Sequence, residues 1–354
     1  MNSPATPGQA TLGHGSAVLG FDVGGTDLKA ALVDTAGSIC DILRVPTPRQ
    51  GAHTGDAVVA QVGELGLRLQ EGHPTVHPQA AGLLVPGYVN DAAGVGVFSE
   101  NLGWKNYPFR DRAQSTLHLP VAFGHDVRGA GEAEHRLGAA APFGDVLVMT
   151  IGTGIAGAIF IDGNLYTGCG MAGEIGHSKV ADGPVCACGG HGCLEAVSSA
   201  GAIARRYTAA TGVAVSGAKE VLDRAAHADA QALAIWDSAL DALALDLSHT
   251  IALMAPEAIV FGGGLSQAGS ALLEPLERRL DAILTFQRRP KLLCATIGEN
   301  AGVIGAALRA RDLIDERSGD AMTSTATRCA QDPVIGQTEA ITLRPGAANT
   351  GVQG

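Results

Sequence analysis

This chain carries the segment Phe21-Asp-Val-Gly-Gly-Thr-Asp-Leu-Lys-Ala-Ala-Leu-Val-Asp34, and 128 residues later Met149-Thr-Ile-Gly-Thr-Gly-Ile-Ala-Gly-Ala-Ile-Phe-Ile-Asp162 repeats its pattern. Each segment consists of an apolar run, a turn of Gly and Thr, a second apolar run and a closing Asp. Apolar runs of this kind predict strands, and glycines permit the positive φ angles that tight turns need. The sequence therefore predicts two β-hairpins in duplicated halves of one fold.

The two hairpin turns are suited to phosphate oxygens, because unobstructed backbone N–H groups and a Thr hydroxyl line each of them. Neither turn is a Walker A loop, since no Gly-Lys-Ser/Thr follows and the next element is a strand. One such turn would more often be only a turn, but two at a single offset indicate a nucleotide held between the halves. The predicted phosphate-contacting residues are Gly24, Gly25 and Thr26 in the first turn and Gly152, Thr153 and Gly154 in the second.

A third glycine cluster, Ile259-Val-Phe-Gly-Gly-Gly-Leu-Ser266, follows an apolar strand and precedes a helical pattern at residues 271–284. The N–H groups of Gly263 and Gly264 are suited to a nucleotide. A tight strand-to-helix crossover would explain the same glycines. Strands alternating with helices predict an α/β fold. Further helical patterns lie at residues 57–70, 128–138, 198–211 and 230–253.

The stretch Cys186-Ala-Cys-Gly-Gly-His-Gly-Cys-Leu-Glu195 predicts a zinc site, since glycines let the thiols of Cys186, Cys188 and Cys193 converge on one point. On spacing alone, His177 and His191 both remain possible fourth ligands. The alternatives are buried small side chains or a disulfide, but seven cysteines do not indicate a disulfide framework. A site with four protein ligands has no open position for water and is structural. The nearby Glu174 and Glu195 indicate that the metal braces one wall of a ligand pocket.

Two aspartates are candidates for chemistry on a phosphoryl acceptor. Asp126 lies at a predicted strand-to-helix junction, where the helix N-terminus favours a negative charge and the side chain can point into a cleft. It is the candidate general base, although an N-cap Asp is also the ordinary way to begin a helix. Asp22, at the end of the first strand, could organise Mg²⁺ through water, or could simply cap the turn.

Composition bounds the functional class. The 354 residues, 46% of them hydrophobic, suffice for two domains. A net charge of −11 argues against nucleic acid or an anionic membrane as partner. We find no signal peptide in residues 1–16 and no apolar run long enough to span a membrane, so we expect a cytoplasmic protein. Residues 1–16 and 315–354 are predicted to be disordered.

The motifs together resemble the ROK family of sugar kinases, and within it the bacterial ATP-dependent glucokinases. The resemblance runs from about Ala17 to Arg311 in the right order, and the combination of Gly-Glu-Ile-Gly-His with Cys-x-Cys-Gly-x-x-Gly-Cys-x-Glu is highly specific. It takes in Val85-Pro-Gly87, Asn101-Leu-Gly-Trp104, His125-Asp126 and Ala301-Gly-Val-Ile-Gly305. It implies an actin-like (ribonuclease H-like) ATPase fold, α/β in class, with two lobes closing over ATP and a hexose.

The resemblance also implies domains and roles. The N-terminal lobe would span residues 17–123 and be completed by a C-terminal helix at about 298–314, and the second lobe would span residues 124–297. Asp126 would be the base acting on the 6-hydroxyl of the sugar, and Mg²⁺ would accompany ATP. His177 would be the fourth zinc ligand and use its other ring nitrogen for the sugar. Family members suggest a dimer or tetramer. The implied substrate-binding residues are Gly87, Asn101, His125, Asp126, Glu174, His177 and Glu195.

Two departures from the family pattern bear on specificity. Where the family commonly has Asn-Asp-Ala-Asn, this chain has His125-Asp126-Val127-Arg128. Asp27 stands beside the first phosphate turn where the family usually has a neutral or basic residue, so it either faces solvent or helps to hold the metal.

Glucose is the favoured substrate, and N-acetylmannosamine, N-acetylglucosamine or another hexose is the alternative. Polyphosphate could replace ATP, although the third glycine cluster favours ATP. A sugar-sensing ROK regulator lacking catalysis is a competing function, disfavoured because only 21 residues precede Asp22. A silent sugar-binding protein is disfavoured by the retained Asp126 and both phosphate turns.

Overall fold

The offset of 128 residues between the repeated segments is reproduced by strand boundaries. In a computed structural model, which describes residues 11–318, the first hairpin consists of β1 (Val18–Val23) and β2 (Asp27–Val33). The second consists of β9 (Val146–Ile151) and β10 (Ile155–Ile161), so that every boundary is shifted by the same amount. Both pairs are antiparallel, which confirms the two predicted hairpins.

The remaining elements follow the predicted alternation of strands and helices. The other strands are β3 (Ile39–Pro46), β4 (Ala80–Val85), β5 (Tyr88–Asn90), β6 (Val95–Phe98), β7 (Lys105–Tyr107), β8 (Val121–His125), β11 (Asn164–Tyr166), β12 (Ala258–Gly262) and β13 (Lys291–Cys294). The helices are α1 (Thr54–Gly72), α2 (Phe109–Leu117), α3 (Asp126–Leu137), α4 (Leu194–Ser198), α5 (Ala200–Thr211), α6 (Ala218–Ala226), α7 (Ala230–Met254), α8 (Ser270–Ile283) and α9 (Ala301–Ser318).

Two sheets with the same topology form the framework. The first has the strand order β3-β2-β1-β4-β8 and the second β11-β10-β9-β12-β13. In each sheet the hairpin strands are antiparallel. In the first sheet β4 and β8 run parallel to β1, and in the second sheet β12 and β13 run parallel to β9. Parallel neighbours place their carboxyl ends at one edge, which is where ligands bind in open α/β sheets. A small antiparallel sheet, β5-β6-β7, is inserted after β4.

Helix α9 packs against the first sheet at unusually short range. A Cβ atom at Gly20 would lie 2.5 Å from the carbonyl oxygen of Val303, and one at Gly82 would lie 1.8 Å from that of Ala306. Only glycine therefore fits at these two strand positions. In the second sheet, the long helix α7 buries Leu240, Leu243 and Leu247 in a core shared with Met149 and Phe261.

The structure differs from the sequence expectations at several boundaries. Helix α9 continues to Ser318 instead of ending near residue 314, and residues 298–300 before it form a separate 3-10 turn. The predicted helix at residues 198–211 is interrupted at Ser199, whose hydroxyl accepts a hydrogen bond from the Ala202 amide and begins α5. After β12, residues 264–268 form a 3-10 turn before α8, so the third glycine cluster is not a direct strand-to-helix crossover.

Residues 12–16, which are predicted from their composition to be disordered, are packed on the first sheet. The guanidinium of Arg311 donates to the carbonyl oxygens of Leu12, Gly13 and Ser16, and Leu12 is buried. Polar, glycine-containing composition gave no signal of this docking, because the donor lies almost three hundred residues away. The rest of the extension and the tail beyond residue 318 lie outside the described residues.

None of the helices in the described range 11–318 is both long and apolar enough to cross a bilayer.

Candidate active site

The predicted zinc ligands converge. The donor atoms of His177, Cys186, Cys188 and Cys193 all lie within 4.8 Å of one another. The Sγ atom of Cys186 is 3.6 Å from His177 Nδ1, and the Sγ atoms of Cys188 and Cys193 are 3.6 Å apart. His191, the competing candidate, is paired in an antiparallel bridge with Val185 and is not one of the four converging residues.

Glycines allow the backbone to fold so that these four residues meet, and the loop that holds them is called the zinc knot below. Gly189 and Gly192 have φ angles of 84° and 69°, which most side chains disfavour. A Cβ atom at Gly192 would also lie 1.7 Å from the carbonyl oxygen of Ala181. The Cys186 amide donates to the carbonyl of Gly190 at 2.8 Å, closing a turn that aims the thiols inward.

The donor set fits a structural Zn²⁺. Three sulfurs and one imidazole nitrogen would supply all four ligands of a tetrahedral site and leave no position for water. Burial and the neighbouring thiols raise the pKa of Cys193 to about 12, so this thiol stays protonated unless a cation binds it. A divalent ion coordinated by sulfur supplies that charge.

The same knot fixes two glutamates and one face of His177. With Nδ1 of His177 turned towards Cys186, its Nε2 lies 3.9 Å from Glu174 Oε2 on the opposite side of the ring. Glu195, in the first turn of α4, accepts a hydrogen bond of 2.9 Å from the Ile155 amide. A Cβ atom at Gly154 would be 2.5 Å from Glu195 Oε2, so the knot touches the second glycine turn directly.

Asp126 occupies the first position of α3, as the sequence predicts. Its Oδ1 accepts a hydrogen bond of 2.7 Å from the Val127 amide, so it does contribute to starting the helix. The side chain is still 23% exposed, which leaves the carboxylate accessible to a substrate. The N-cap position belongs to His125, which makes no side-chain capping bond, so Asp126 is the first helical residue and not the N-cap aspartate of the alternative reading.

His125 links the two sides of the site electrostatically. Burial lowers the pKa of its imidazole, whereas the carboxylates of Asp126 and Glu174 act in the opposite direction. The ring is therefore neutral at physiological pH, and Nδ1 lies 3.3 Å from Asp126 Oδ1 without hydrogen-bond geometry. The contact between the two sides is made by Arg128, two residues after Asp126, which donates to the carbonyl of Gly170 in the loop that leads into Glu174.

Asp22 faces the same volume from β1. Its carboxylate packs against Gly302 at the beginning of α9, where any Cβ would lie 2.2 Å from Oδ2. Burial and then the charge of Asp126 raise its pKa to about 7, against the opposing effect of Lys29. Two carboxylates that repel each other in this way fit a site that is completed by a cation such as Mg²⁺.

The comparisons with known proteins agree with this geometry. The profile of the ROK family matches residues 18–312, which is most of the chain. The chain belongs to the ROK family. A glucokinase of Halalkalibacterium halodurans is 35% identical over 309 residues, with 81% of this chain and 92% of the relative covered. An N-acetylmannosamine kinase of Escherichia coli is 33% identical over 300 residues, with 83% of this chain and 98% of the relative covered.

Among solved structures, a ROK family glucokinase from Streptomyces griseus in complex with glucose and AMPPNP has a TM-score of 0.71 and 30% identity. The match covers 84% of this chain and the whole of that one. The expected actin-like ATPase fold with two lobes and a cleft is thereby confirmed, as is the resemblance to ROK sugar kinases.

The departure from the ROK pattern at Asp27 is explained by a salt bridge. Asp27 Oδ2 lies 2.6 Å from a guanidinium nitrogen of Arg44, whose other terminal nitrogen is 3.2 Å from Glu299. The charge of Asp27 is thus paired within the protein, on the strand beside the phosphate turn. It neither stands alone in solvent nor needs a metal for neutralisation.

Arg128, which departs from the family pattern in the segment after Asp126, is a buried structural cation. One terminal nitrogen lies 2.8 Å from Asp91 Oδ1, and the other donates to the Gly170 carbonyl at 3.3 Å. Asp91 also pairs with Arg309 of α9 at 3.1 Å. Arg128 therefore ties the small inserted sheet to the loop that leads into Glu174, whereas the shorter family asparagine could not span both.

Sequence reasoning missed Arg49, which lies in the loop after β3. Its guanidinium donates to the carbonyl of Gly25 at 2.6 Å and to that of Asn101 at 2.9 Å. One side chain thus holds both the first phosphate turn and the loop that carries Asn101, a predicted sugar-binding residue. A single basic residue after Thr-Pro gives no recognisable signal in the sequence.

Gly87 and Gly263, two further predicted site residues, adopt backbone conformations that favour glycine. Gly87 has a φ of 92°, and a Cβ there would be 2.4 Å from the carbonyl of Phe98. Gly263, with a φ of 78°, packs against the carbonyl of Ile151 at the end of β9, beside the second phosphate turn. The third glycine cluster therefore adjoins that turn, as a nucleotide site would need.

Proposed function

We propose that this chain is an ATP-dependent hexose kinase that phosphorylates glucose at its 6-hydroxyl. The observation that carries the proposal is the hydrogen bond from Arg128, two residues after Asp126, to the carbonyl of Gly170, four residues before Glu174, which joins the helix of the base to the loop of the metal-binding residues. A single monosaccharide would then reach the base on one side and the knot-held groups on the other. The glucokinases among the relatives and the glucose complex of the similar ROK structure support glucose as the sugar.

In the proposed mechanism, Asp126 accepts the proton of the 6-hydroxyl as the oxygen attacks the γ-phosphorus. The bond from that phosphorus to the β–γ bridging oxygen breaks, and ADP leaves. Phosphoryl transfer needs mainly positioning and charge neutralisation. The turn amides at Gly25, Thr26, Thr153 and Gly154 would hold phosphate oxygens, whereas those of Gly24 and Gly152 close their turns by donating to the carbonyls of Asp27 and Gly154. Mg²⁺, held through water near Asp22, would supply further positive charge, while Zn²⁺ would remain structural.

Sugar orientation would come from groups that the fold already holds rigid. Glu174 and His177 Nε2 lie together on the knot, Glu195 is tied to Ile155, and Asn101 is held through its carbonyl by Arg49. The neutral His125 can donate or accept a hydrogen bond to a hydroxyl. Rigid groups of this kind lose little entropy when the sugar binds.

We further propose a lobe of residues 17–123 completed by α9, a second lobe of residues 124–297, and closure of the two over the substrates. Closure would exclude water and so limit wasteful ATP hydrolysis. A cytoplasmic dimer or tetramer is proposed by analogy with the family, and sedimentation analysis would test its size.

The proposal is tested by ADP release across a panel of hexoses with wild type and Asp126→Asn. We expect glucose to be preferred and the variant to lose at least about a hundredfold in kcat, because the amide cannot accept the proton. Undiminished turnover of every sugar by Asp126→Asn would remove Asp126 as the base.

A second candidate substrate is N-acetylmannosamine, favoured by the similarity to the Escherichia coli kinase. The same panel separates the two, because a higher kcat/KM for N-acetylmannosamine than for glucose would reverse the assignment. Replacing ATP by polyphosphate in the same assay tests the donor.

A further inference from the structure

The chain passes between the two sheets at two places within residues 11–318. The first passage, residues 138–145, leads from the end of α3 into β9. The second, residues 295–300, leads from β13 into α9, which packs on the first sheet. Helix α3, between β8 and the first passage, packs both on α9 and on β10 of the second sheet, so it lies at the boundary of the two proposed lobes. A rotation of one sheet against the other would change the geometry of both passages.

One carboxylate holds both passages. Glu134, on α3, accepts from the Ala139 amide at 3.0 Å through Oε2, which binds the first passage. It accepts from the Ile297 amide at 2.7 Å through Oε1 and from the Thr296 amide at 3.2 Å through Oε2, which binds the second. The side chain is only 2% exposed, so solvent cannot replace these bonds.

The helices on either side of this clasp are locked together and lead to the reacting groups. A Cβ atom at Gly305 of α9 would lie 2.0 Å from the Gly129 carbonyl of α3, so the helix backbones are in contact. Helix α3 begins with Asp126, and the beginning of α9 contacts Asp22 through Gly302. A shift of these helices at Glu134 would therefore reach Asp126 at the start of α3 and Asp22 beside the start of α9.

We propose that Glu134 is a positioning residue that clasps the two passages and sets the rotation by which the cleft closes on its hexose. The inference rests on the proposed kinase function. A carboxylate suits this role because its two oxygens accept several amides at once and keep them at fixed separation while the flanking residues turn.

The test compares Glu134→Gln with Glu132→Gln, the same change at a half-buried carboxylate of the same helix that binds Arg309 and neither passage. The glutamine side chain introduced by Glu134→Gln would present an NH₂ group to amide donors and release at least one passage. Small-angle scattering would record the radius of gyration with and without glucose and AMPPNP, alongside kcat/KM for glucose and the thermal midpoint.

We expect Glu134→Gln to lose the ligand-induced compaction and about tenfold in kcat/KM for glucose. Glu132→Gln should retain the compaction even if its thermal midpoint falls equally. A folded Glu134→Gln protein with wild-type compaction and kcat/KM would overturn the proposal, as would equal loss of compaction in both variants.

If Glu134→Gln does not fold, Glu134→Asp is measured in the same way. The shorter stem cannot reach both passages, so we expect partial loss of compaction, and full compaction would contradict the clasp. Wild type that phosphorylates no hexose would overturn the proposed function and the clasp with it. Active wild type with an unaffected variant would overturn the clasp alone.

Discussion

Single residues in this protein combine local and long-range roles. Asp126 begins a helix and faces the cleft, and Glu195 lies in the first turn of α4 while holding the start of β10. Sequence identifies such residues because their local pattern is recognisable. It does not identify Arg49 or Glu134. Arg49 bonds to Asn101, about 50 residues away, and Glu134 bonds to Ile297, about 160 residues away.

Asp22 predicts a distinct dependence of stability on pH. Its native pKa of about 7 exceeds its ordinary value of 3.8, so between these values the native state holds a proton that the unfolded chain has lost. Without Mg²⁺, the free energy of unfolding should fall as pH rises from about 4 to about 7. Urea unfolding at several pH values measures this slope.

Asp22→Asn should abolish that contribution to the slope and lose kinase activity. The amide carries no charge to be destabilised by burial or by Asp126, so the variant should be the more stable protein at pH 8 in the absence of Mg²⁺. Equal slopes for the two proteins would show that Asp22 is not in the environment described.

At the scale of elements, the second glycine turn and the metal-binding loop act as one unit. The contact is made by Glu195, which bonds the amide of Ile155 and fills the space beside Gly154. Each element was predictable from its own composition. Their contact was not, because no periodicity reports how a loop at residue 195 meets a hairpin at residue 154.

Gly154→Ala should therefore weaken glucose binding through Glu195. The added methyl group would lie 2.5 Å from Glu195 Oε2 and displace it from the sugar. We expect about a tenfold rise in the glucose dissociation constant, measured calorimetrically without nucleotide. Gly152→Ala, in the same turn, meets no atom within 4 Å and serves as the control. Equal effects of the two substitutions would argue against this coupling.

The metal-binding loop itself is tested by Cys188→Ser. Loss of one thiolate should remove zinc from the purified protein and loosen Glu174 and His177, so that glucose affinity falls along with stability. Metal analysis and calorimetry measure both. Cys40→Ser, which alters a thiol outside the cluster, should keep zinc and affinity. Retained affinity in zinc-free Cys188→Ser would separate the knot from the sugar site.

At the scale of the whole molecule, duplication explains why so much of the fold could be predicted. The hairpins recur with every boundary shifted by 128 residues, and the family motifs lie in order along residues 18–312. What sequence could not provide is which distant segments contact each other. That depends on Glu134, on the Arg128–Asp91–Arg309 cluster and on glycines such as Gly82, all of which act between distant segments.

The central claim is that one hexose lies between Asp126 and the groups held by the zinc knot. A crystal structure of wild type with glucose and AMPPNP tests it most directly. We predict an Asp126 oxygen within about 2.6–3.2 Å of the sugar 6-hydroxyl, with Glu174, His177 and Glu195 bonded to other hydroxyls of the same molecule. Glucose bound away from Asp126, or touching Asp126 but none of these three, would contradict the account.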